Sequence, residues 1–520
     1  MNRRNFITAL GAVATGKLRR LRDEDGDFGL PDPGLGTATP TITTTRYPYI
    51  QNVRNDRISV LWATLESGAG VVECSSDGIN FNRVAAQSRI FTAANTGMAK
   101  DFVQYQANIT GLQPATDYVY RVSVNGLEVT PGGATRFRTA GPGPFNFIVL
   151  GDSGYASAEQ YAIAQRILAE SPSLVIHTGD VVYNPGGAPG TTIGLYQRNY
   201  FNYYYQTMSS VPFFPSLGNH DYGPTAAPYL AIHALPTENV PFADRHKYYS
   251  FDWGNVHFVS LDGHESLERD YPDPQIGRPA GPMLRWLEND LRSTRQFWRV
   301  VYFHYPPFAA GPNMNDYHSA LVRLYVVPIL EAYGIQVVLT GHEHSYQRSR
   351  PTRKSAFLTS DIGTNYISSG GGGAFLYPVY DFPVVAFGKS DYHYLRAEVR
   401  GTQIIFHAIR HDGVEIDSYP VAPRPVFSDD PAVQPVVMTP GPIAGATVRI
   451  LGRALAGEEA FACTPVPPTD MVGTSVTVNG NPIQLLYVSA SQIYAQLPFN
   501  VDGNVTVRVT TANGSSEMSF

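Results

Sequence analysis

The sequence contains only two cysteines, few charged residues and no long hydrophobic run. Cys74 and Cys463 lie far apart in a chain of 520 residues, which excludes a disulfide framework and predicts two buried thiols. No stretch of about 18 apolar residues occurs, so a transmembrane helix is not expected. Charged residues make up 16% of the chain and the formal net charge is −6, which argues against nucleic acid as a stable partner.

Apolar, aromatic and turn-forming residues are abundant instead. Hydrophobic residues make up 43% of the chain, which is enough to bury sizeable cores. The 32 tyrosines, 48 glycines and 40 prolines favour strand-rich domains joined by many turns. From the length of the chain, about three domains are expected.

The amino terminus combines a basic start with a short apolar stretch. The segment Arg3-Arg4-Asn5-Phe6-Ile7 precedes small residues at positions 12–14. This pattern resembles a bacterial twin-arginine export signal and predicts a periplasmic or extracellular protein; the alternative is a disordered basic tail. Residues 1–42 are therefore expected to form an export signal and a linker, with the cleavage site left open.

Short alternating apolar runs occur in two regions, one before and one after the central part of the chain. Residues 43–140 predict a β-sandwich and resemble fibronectin type III domains at 109–118, which indicates a scaffold. A Pro-rich linker at 421–436 leads to residues 437–520, which are similar to the Ig-like carboxy-terminal modules of secreted bacterial proteins. This last module is expected to contact the cell surface or another protein.

The central region, residues 142–420, alternates buried strands with amphipathic helices. Phe145–Leu150 is a continuous apolar strand, residues 157–170 have helical spacing, and residues 174–178 form a second apolar run. Such a strand–helix–strand unit predicts two parallel neighbours in one sheet. Further helices are expected at 281–296 and 317–333, and a hairpin at 247–261, so this region predicts an α/β (α+β) fold.

Five short groups of metal-capable residues each follow a predicted strand directly. Their candidate ligands are Asp152, Asp180, Tyr183, Asn219, His304, His342 and His344. Ligand sites gather at the carboxyl ends of strands in open α/β sheets, so we expect these side chains to meet at one edge. Each group alone is typical of an ordinary turn or a structural histidine. The five groups together favour a metal site.

This set of motifs resembles that of the metallophosphoesterases, and of the purple acid phosphatases in particular. The segment GHEHSYQR at 341–348 is a close match, and the resemblance covers 142–420. Many metallophosphoesterases have histidine two residues after the first aspartate, but here that residue is Gly154. Instead, Tyr183 stands where purple acid phosphatases have an iron-binding tyrosinate, which favours a trivalent ion. The resemblance implies a four-layer sandwich core flanked by two all-β sandwich domains.

The resemblance also implies how the ligands are shared. Asp152, Asp180, Tyr183 and His344 would hold Fe(III), and Asp180 would bridge to a divalent metal. Asn219, His304 and His342 would complete the site of that second ion, which is left open between Zn, Fe and Mn. Two such cations carry a charge of about +5, so a local positive excess remains after the anionic side chains are counted. That excess would attract phosphate despite the acidic chain.

Three further residues are candidates for catalysis. His220, directly after Asn219, is the leading proton donor for the departing alkoxide. His318, fourteen residues beyond His304, resembles a second substrate-facing histidine of the family; the alternative is a helix cap. Asp221 is expected to orient a neighbouring imidazole. The other histidines, including His177, His246, His257 and His264, are interpreted as structural.

The expected function is hydrolysis of small-molecule phosphate monoesters, as by an acid phosphatase. One alternative is phosphodiester or nucleotide hydrolysis on the same centre, because specificity depends on the rim loops. The rim is predicted at 184–193, at Tyr203, Tyr204 and Tyr205, and at 308–318. A non-catalytic surface-binding protein is the third hypothesis, although degraded ligand positions would then be expected. The physiological ester and the oligomeric state are left open.

Overall fold

The computed structural model describes the chain from residue 41 onward, with gaps. The described residues are 41–184, 191–223, 225–272, 279–353, 356–358, 363–421, 434–439, 447–453, 455–462, 467–490, 492–498, 500–501, 505–512 and 514–519. The predicted export signal and Cys463 therefore lie outside the described residues. So does most of the predicted linker at 421–436.

Two antiparallel sheets form the amino-terminal region. The first has the strand order Thr44–Gln51, Arg57–Thr64, Phe102–Thr110 and Gln87–Phe91. The second has the order Asn82–Ala85, Gly70–Ser75, Asp117–Val124 and Leu127–Glu128, with Thr135–Arg138 also paired to Asp117–Val124. Every second side chain of Asp117–Val124 is buried, as expected for a sandwich. The all-β prediction is confirmed, while the fibronectin type III resemblance stays a prediction.

The central region begins with the predicted strand–helix–strand unit. Phe145–Leu150 and Leu174–His177 are parallel neighbours, and the helix Ala158–Glu170 connects them. The Ser157 hydroxyl caps that helix by accepting from the Gln160 amide. The complete sheet has the order Phe213–Pro215, Leu174–His177, Phe145–Leu150, His393–Arg400, Gln403–Arg410 and Glu415–Val421.

A second mixed sheet carries the later motifs. Its order is Tyr249–Trp253, Val256–Ser260, Trp298–Tyr302, Val337–Thr340, Asn365–Ser369, Tyr346–Ser349 and Val385–Lys389. The first two strands form the predicted hairpin, and the next three neighbours are parallel. The predicted helices are present as Pro282–Ser293 and as a continuous helix over 317–332.

The two sheets pack face to face between helices. Phe147 of the first sheet contacts Phe258 of the second, with ring centroids 5.2 Å apart. The next residue, Val259, points to the opposite face and packs with Leu287 of the helix Pro282–Ser293 in a separate core cluster. Ile163 of the helix Ala158–Glu170 packs on the other side of the first sheet. Helix, sheet, sheet and helix thus make four layers, as predicted.

The amino-terminal sandwich is joined to a helix of the central region that spans 193–208. The Arg46 guanidinium donates to Gln197 and lies 4.2 Å from the centre of the Phe201 ring. Tyr204 is buried, and the Tyr205 ring packs against Tyr47 of the sandwich at 5.3 Å. The prediction that this tyrosine cluster lines the rim of the site is therefore wrong for Tyr204, whose ring is buried against Phe213, and for Tyr205, which faces the sandwich. The Tyr203 ring contacts Tyr161 of the helix Ala158–Glu170.

The remaining helical segments of the described residues are short. They are Ala93–Thr96, Asn219–Asp221, Ala227–Ile232, Phe242–Asp244 and Glu265–Asp270, together with Ile193–Tyr196 and Asn202–Met208, which flank the π-helical turn Gln197–Phe201. A second π-helical turn, Val322–Val326, joins Tyr317–Leu321 to Val327–Ala332. Within the described ranges, no helix is both long enough and apolar enough to cross a membrane.

The carboxy-terminal region is also all-β, and part of the central region pairs with it. One sheet has the order Thr352–Arg353, Ala356–Leu358, Ala460–Ala462, Gln484–Val488, Gln492–Gln496, Thr447–Arg453 and Gln434–Thr439. The other contains Asp470–Met471, Thr474–Val478, Thr506–Thr511 and Gly514–Ser519, with Asn481–Pro482 beside Thr474–Val478. Because Ala356–Leu358 pairs with Ala460–Ala462, this module is attached through backbone hydrogen bonds as well as through the chain.

Candidate metal centre

Five loops from the two sheets meet at the carboxyl ends of their strands. The Asp152 amide donates to the carbonyl of Gly179 at 3.1 Å, which joins the first two loops. The Gly341 amide donates to the carbonyl of His304 at 2.9 Å, which joins the last two. His304 in turn donates from Nδ1 to the carbonyl of Thr178 at 3.0 Å, across the boundary between the sheets. The predicted edge is therefore a seam between two sheets.

Three of the candidate ligands have a left-handed backbone conformation. The φ angles are +57° at Asp152, +52° at Asp180 and +68° at His342. Non-glycine residues rarely adopt this conformation, and when they do they cluster at functional sites. Each of these residues lies in a tight loop beside a glycine, and a Cβ atom at Gly218 would collide with the Asp180 carboxylate. The chain thus accepts local strain to place these side chains.

Asp152, Tyr183 and His344 form a first group of contacts. The Tyr183 hydroxyl lies 2.9 Å from Asp152 Oδ1 and 3.0 Å from His344 Nε2. His344 Nε2 is 3.3 Å from Asp152 Oδ1. The other ring nitrogen of His344, Nδ1, lies 2.7 Å from the carbonyl of Phe375. A carbonyl only accepts, so Nδ1 carries a proton and fixes the ring with Nε2 facing the group.

Asn219, His304 and His342 form a second group with Asp180. His304 Nε2 lies 3.1 Å from Asn219 Oδ1, 3.2 Å from His342 Nδ1 and 3.3 Å from Asp180 Oδ2. Asp180 connects the two groups, because oxygens of Asp152 and Asp180 and a nitrogen of His304 all lie within 4.8 Å of one another. All three of these residues are buried.

The pKa values of His304 and Tyr183 are both raised in this site, although burial opposes the shift at His304 and adds to it at Tyr183. Burial alone would lower the pKa of His304, but the Asp180 carboxylate outweighs it and raises that pKa to about 9. Burial raises the pKa of Tyr183 well above its usual range, and the carboxylates of Asp152 and Asp180 raise it further. Both shifts favour the protonated side chains, because protons offset the negative charge of the buried carboxylates of Asp152 and Asp180.

The donor set fits metal ions because cations could replace the protons that its imidazole and phenol groups direct at the neighbouring carboxylates. In neutral His304 and His344 the single ring proton is on Nδ1, so each Nε2 lone pair faces a carboxylate oxygen. Tyr183 has one hydroxyl proton for two neighbouring acceptors. Cations placed among these atoms would satisfy all of them at once, and carbonyl-bound imidazoles are the usual metal ligands.

The structure also explains why residue 154 is a glycine and not the histidine that many metallophosphoesterases have at this position. A Cβ atom at Gly154 would collide with the carbonyl oxygen and the backbone of residues 181 and 182. The Tyr183 amide donates to the Gly154 carbonyl at 3.0 Å, so the two loops are in direct contact. A side chain has no room at position 154, and the Tyr183 phenol lies within the same group of ligands instead.

The structure places His220 beside the centre and His318 further away. The His220 amide donates to Asp180 Oδ1 at 2.8 Å, and the His220 ring lies 4.5 Å from the Tyr183 ring. His318 Nε2 lies 2.9 Å from Glu268 Oε1, and its ring stacks on Tyr305 at 4.5 Å. Tyr305 and Asp316 lie between His318 and the candidate ligands. The Tyr305 ring contacts His304 at 5.1 Å, and the Asp316 carboxylate lies 3.5 Å from His318 Nδ1 and 3.7 Å from His342 Nε2.

Asp221 holds backbone rather than an imidazole. It is the third residue of the turn Asn219–Asp221, so its carboxylate folds back to accept from the Gly218 amide at 2.9 Å. It also accepts from the Val181 amide at 3.2 Å and from the Tyr196 hydroxyl at 2.7 Å. Among the described residues, Asp221 accepts from backbone amides and from a tyrosine hydroxyl and not from an imidazole, so the expectation that it orients an imidazole is wrong. Its role here is to tie the Asp180 and Asn219 loops together.

Sequence reasoning missed Asp316 and Glu343. Asp316 caps the helix that begins at Tyr317, and its Oδ2 lies 3.7 Å from His342 Nε2. Glu343, between the two histidines of the GHEH motif, accepts from the Asn313 amide at 2.7 Å and holds the 308–316 loop against the centre. An aspartate directly before a helix is a recognisable cap, but its approach to His342 depends on the tertiary fold.

Family models match two parts of the chain. Residues 145–346 match the model described as calcineurin-like phosphoesterase. Residues 431–520 match the IPT/TIG domain model, which confirms the prediction of an Ig-like carboxy-terminal module.

Curated relatives and solved structures point to the same group of proteins. Purple acid phosphatase 15 of Arabidopsis thaliana is 26% identical over 52% of this chain and 53% of its own length. Human acid phosphatase type 7 is 25% identical over 62% of this chain and 77% of its length. An uncharacterised Mycobacterium tuberculosis protein is 26% identical over 51% of this chain and 57% of its length. The chain thus spans little more than half of two of these relatives.

Among solved structures, the purple acid phosphatase PPD1 from yellow lupin seeds shares the fold. Its TM-score is 0.62 at 17% identity, over 73% of this chain and 74% of its own. The structure of PhoD has a TM-score of 0.52 at 15% identity, over 74% of this chain and 95% of its own.

Proposed function

Because residues 145–346 form a calcineurin-like metallophosphoesterase domain with purple acid phosphatase relatives, we propose that this chain is a metal-dependent acid phosphatase that hydrolyses phosphate monoesters. The observation that carries the proposal is the convergence of carboxylate, phenol, amide and imidazole donors from five loops on one small volume. Degraded ligand positions would have favoured a non-catalytic surface protein, but all seven candidate positions carry suitable donors.

We assign the two groups of contacts to two ions. Asp152, Asp180, Tyr183 and His344 would hold Fe(III), and Asn219, His304 and His342, with Asp180 shared, would hold Zn, Fe or Mn in the divalent state. When bound, such a pair supplies a water molecule acidic enough to give hydroxide and a cationic clamp for phosphate oxygens. The short distances between the groups support the assignment.

The chain contributes orientation and a proton. The carbonyls of Thr178 and Phe375 hold the rings of His304 and His344 with their Nε2 atoms facing inward. His220 is half-buried, and its backbone amide is fixed on Asp180, so its ring remains beside the centre. We assign His220 the task of donating a proton or a strong hydrogen bond to the leaving oxygen. His318 lies further from the centre, where its ring stacks on Tyr305, and would face the substrate from that position.

The proposal is tested by comparing two esters with the same leaving group. We expect p-nitrophenyl phosphate to be hydrolysed with a higher kcat/KM than bis(p-nitrophenyl) phosphate. Removing the metals with a chelator should abolish both activities, and adding iron with zinc or manganese should restore them. A preference for the diester would favour the alternative, phosphodiesterase activity on the same centre. Fewer than about one metal per chain, with no hydrolysis after reconstitution, would instead favour a binding protein.

His220→Ala is expected to slow esters with poor leaving groups more than activated ones. An alkyl alkoxide needs a proton as it departs, whereas nitrophenolate does not. We expect a loss of about a hundredfold in kcat for an alkyl phosphate and a much smaller loss for p-nitrophenyl phosphate. Steady-state kinetics on both esters, with metal content measured in parallel, gives the comparison. An equal loss on both esters would assign the donor role to another group.

We also propose where the protein works. The twin-arginine-like segment at 3–7 supports export after folding, which suits a protein that must acquire its metals before it crosses a membrane. The TIG domain supports a contact between the carboxy-terminal module and the cell surface or another protein. The partner of the catalytic region itself would be a small-molecule phosphate ester.

A further inference from the structure

Two exposed aromatic rings lie beside the candidate metal centre. Tyr155 is 44% exposed and Phe375 is 53% exposed, and their ring centroids are 6.0 Å apart. Each ring also contacts a buried candidate ligand. Tyr155 lies 5.9 Å from Tyr183, and Phe375 lies 5.5 Å from His344. The pair therefore stands between the first group of ligands and solvent.

The backbone beneath these rings is fixed to the centre. The Ala374 amide donates to the carbonyl of Asp152 at 2.9 Å, and the Tyr377 amide donates to the carbonyl of His344 at 2.9 Å. The Phe375 carbonyl accepts from His344 Nδ1 at 2.7 Å. Phe375 is thus held from both sides by the loops that carry candidate ligands. These contacts fix the backbone of Phe375 beside the centre.

A third ring, that of Tyr377, packs against Phe375. Tyr377 stacks on His344 with centroids 4.2 Å apart and an angle of 4° between the planes. Phe375 packs edge-on against Tyr377 at 5.4 Å and edge-on against Tyr155 at 6.0 Å. An edge-to-face contact covers only one face of one of the two rings, so these partly exposed rings keep uncovered faces. Uncovered aromatic faces beside a ligand site favour a planar apolar partner.

We propose that Tyr155 and Phe375 form a binding site for the organic group of the substrate, and that this group is an aromatic ring joined directly to the ester oxygen. This inference rests on the proposed phosphatase function, because the phosphate would lie on the ions held by Tyr183 and His344. One ester oxygen then separates the phosphorus from a ring that stacks on Phe375 or Tyr155. Open-chain polyol esters have no flat apolar face, and a sugar ring offers only a puckered one, so the site would favour aryl phosphates.

Binding of two non-hydrolysable analogues tests the inference without turnover. Phenylphosphonate and methylphosphonate are each titrated calorimetrically into the metal-loaded full chain. We expect phenylphosphonate to bind about tenfold more tightly, since an aromatic contact and the buried ring area together amount to about one factor of ten. In Phe375→Ala the ratio of the two dissociation constants should fall severalfold, and in Tyr155→Ala,Phe375→Ala it should approach one.

Phe297→Ala is the matched control. Phe297 is 43% exposed, but it precedes the strand Trp298–Tyr302, at the end opposite to the centre. This variant should keep the wild-type ratio. Phe375→Ala retains the backbone carbonyl that holds His344, and thermal unfolding with metal analysis verifies that the centre is intact.

The outcomes separate the two proposals. Binding of neither phosphonate by the metal-loaded wild type would overturn the phosphatase function itself. Equal binding of both by the wild type, or an unchanged ratio in Phe375→Ala, would overturn the aromatic site and leave the phosphatase function standing. A nucleoside monophosphate that binds as tightly as phenylphosphonate, with the same loss in Phe375→Ala, would overturn the direct attachment of the ring to the ester oxygen.

Discussion

Asp180→Asn is expected to lower kcat for phosphate monoesters by at least about a thousandfold. Asp180 Oδ2 lies 3.3 Å from His304 Nε2, and Asp180 Oδ1 accepts from the His220 amide at 2.8 Å. Asn offers one carbonyl oxygen and no negative charge, so it could not hold two cations at once. Several kcal/mol of transition-state stabilisation would be lost with the shared carboxylate.

Metal analysis by mass spectrometry and steady-state kinetics check this result. We expect fewer than two metals per chain in the variant, and a loss mainly in kcat. Asp270→Asn is the control for removing a buried carboxylate, because Asp270 is fully buried in the same region but pairs with Arg269 at 2.6 Å. Asp270→Asn should retain both metals. Full activity in Asp180→Asn would show that another carboxylate bridges the ions.

Tyr183→Phe is expected to abolish the visible absorption of the oxidised, iron-loaded protein. Burial and the carboxylates of Asp152 and Asp180 raise the pKa of Tyr183 well above its usual range, so the protein alone keeps the phenol protonated. Only a highly charged cation in direct contact would convert it to a phenolate. A phenolate bound to Fe(III) absorbs visible light by charge transfer, and phenylalanine cannot form this bond.

Tyr196→Phe provides the matched control for this prediction. Tyr196 is also a fully buried tyrosine that donates to a buried aspartate, Asp221, at 2.7 Å. It is not among the candidate ligands, so Tyr196→Phe should keep the colour. The measurement is a visible spectrum at known iron content. An iron-loaded wild type without a visible band would contradict the assignment of Tyr183, whatever the activity.

The family resemblance and the fold class were predictable because the sequence carries them locally. The strand–helix–strand unit at 145–177, the hairpin before Ser260 and the helix Pro282–Ser293 all follow from apolar periodicity. The order of the five motifs along the chain identified the metallophosphoesterase domain, which the family model and the relatives confirm.

Roles that depend on distant parts of the chain were not predictable. Asp221 was expected to orient an imidazole, but its position in a short turn directs it to backbone amides. Tyr204 and Tyr205 were expected at the rim, but Tyr204 is buried within the central region and Tyr205 contacts Tyr47 of the amino-terminal sandwich. Phe375 lies about 190 residues after Tyr183 and is one of 26 phenylalanines, so nothing in its sequence neighbourhood marks it.

The sequence by itself determined which donor atoms this protein can offer and which strand each one follows, since these depend on residue type and on periodicity a few residues long. Tertiary structure alone decided that the five loops come from two sheets and meet at their seam, that Asp152, Asp180 and His342 take left-handed conformations there, and that exposed rings stand beside them. Distances between side chains hundreds of residues apart depend on how the layers pack, and no local pattern encodes that packing.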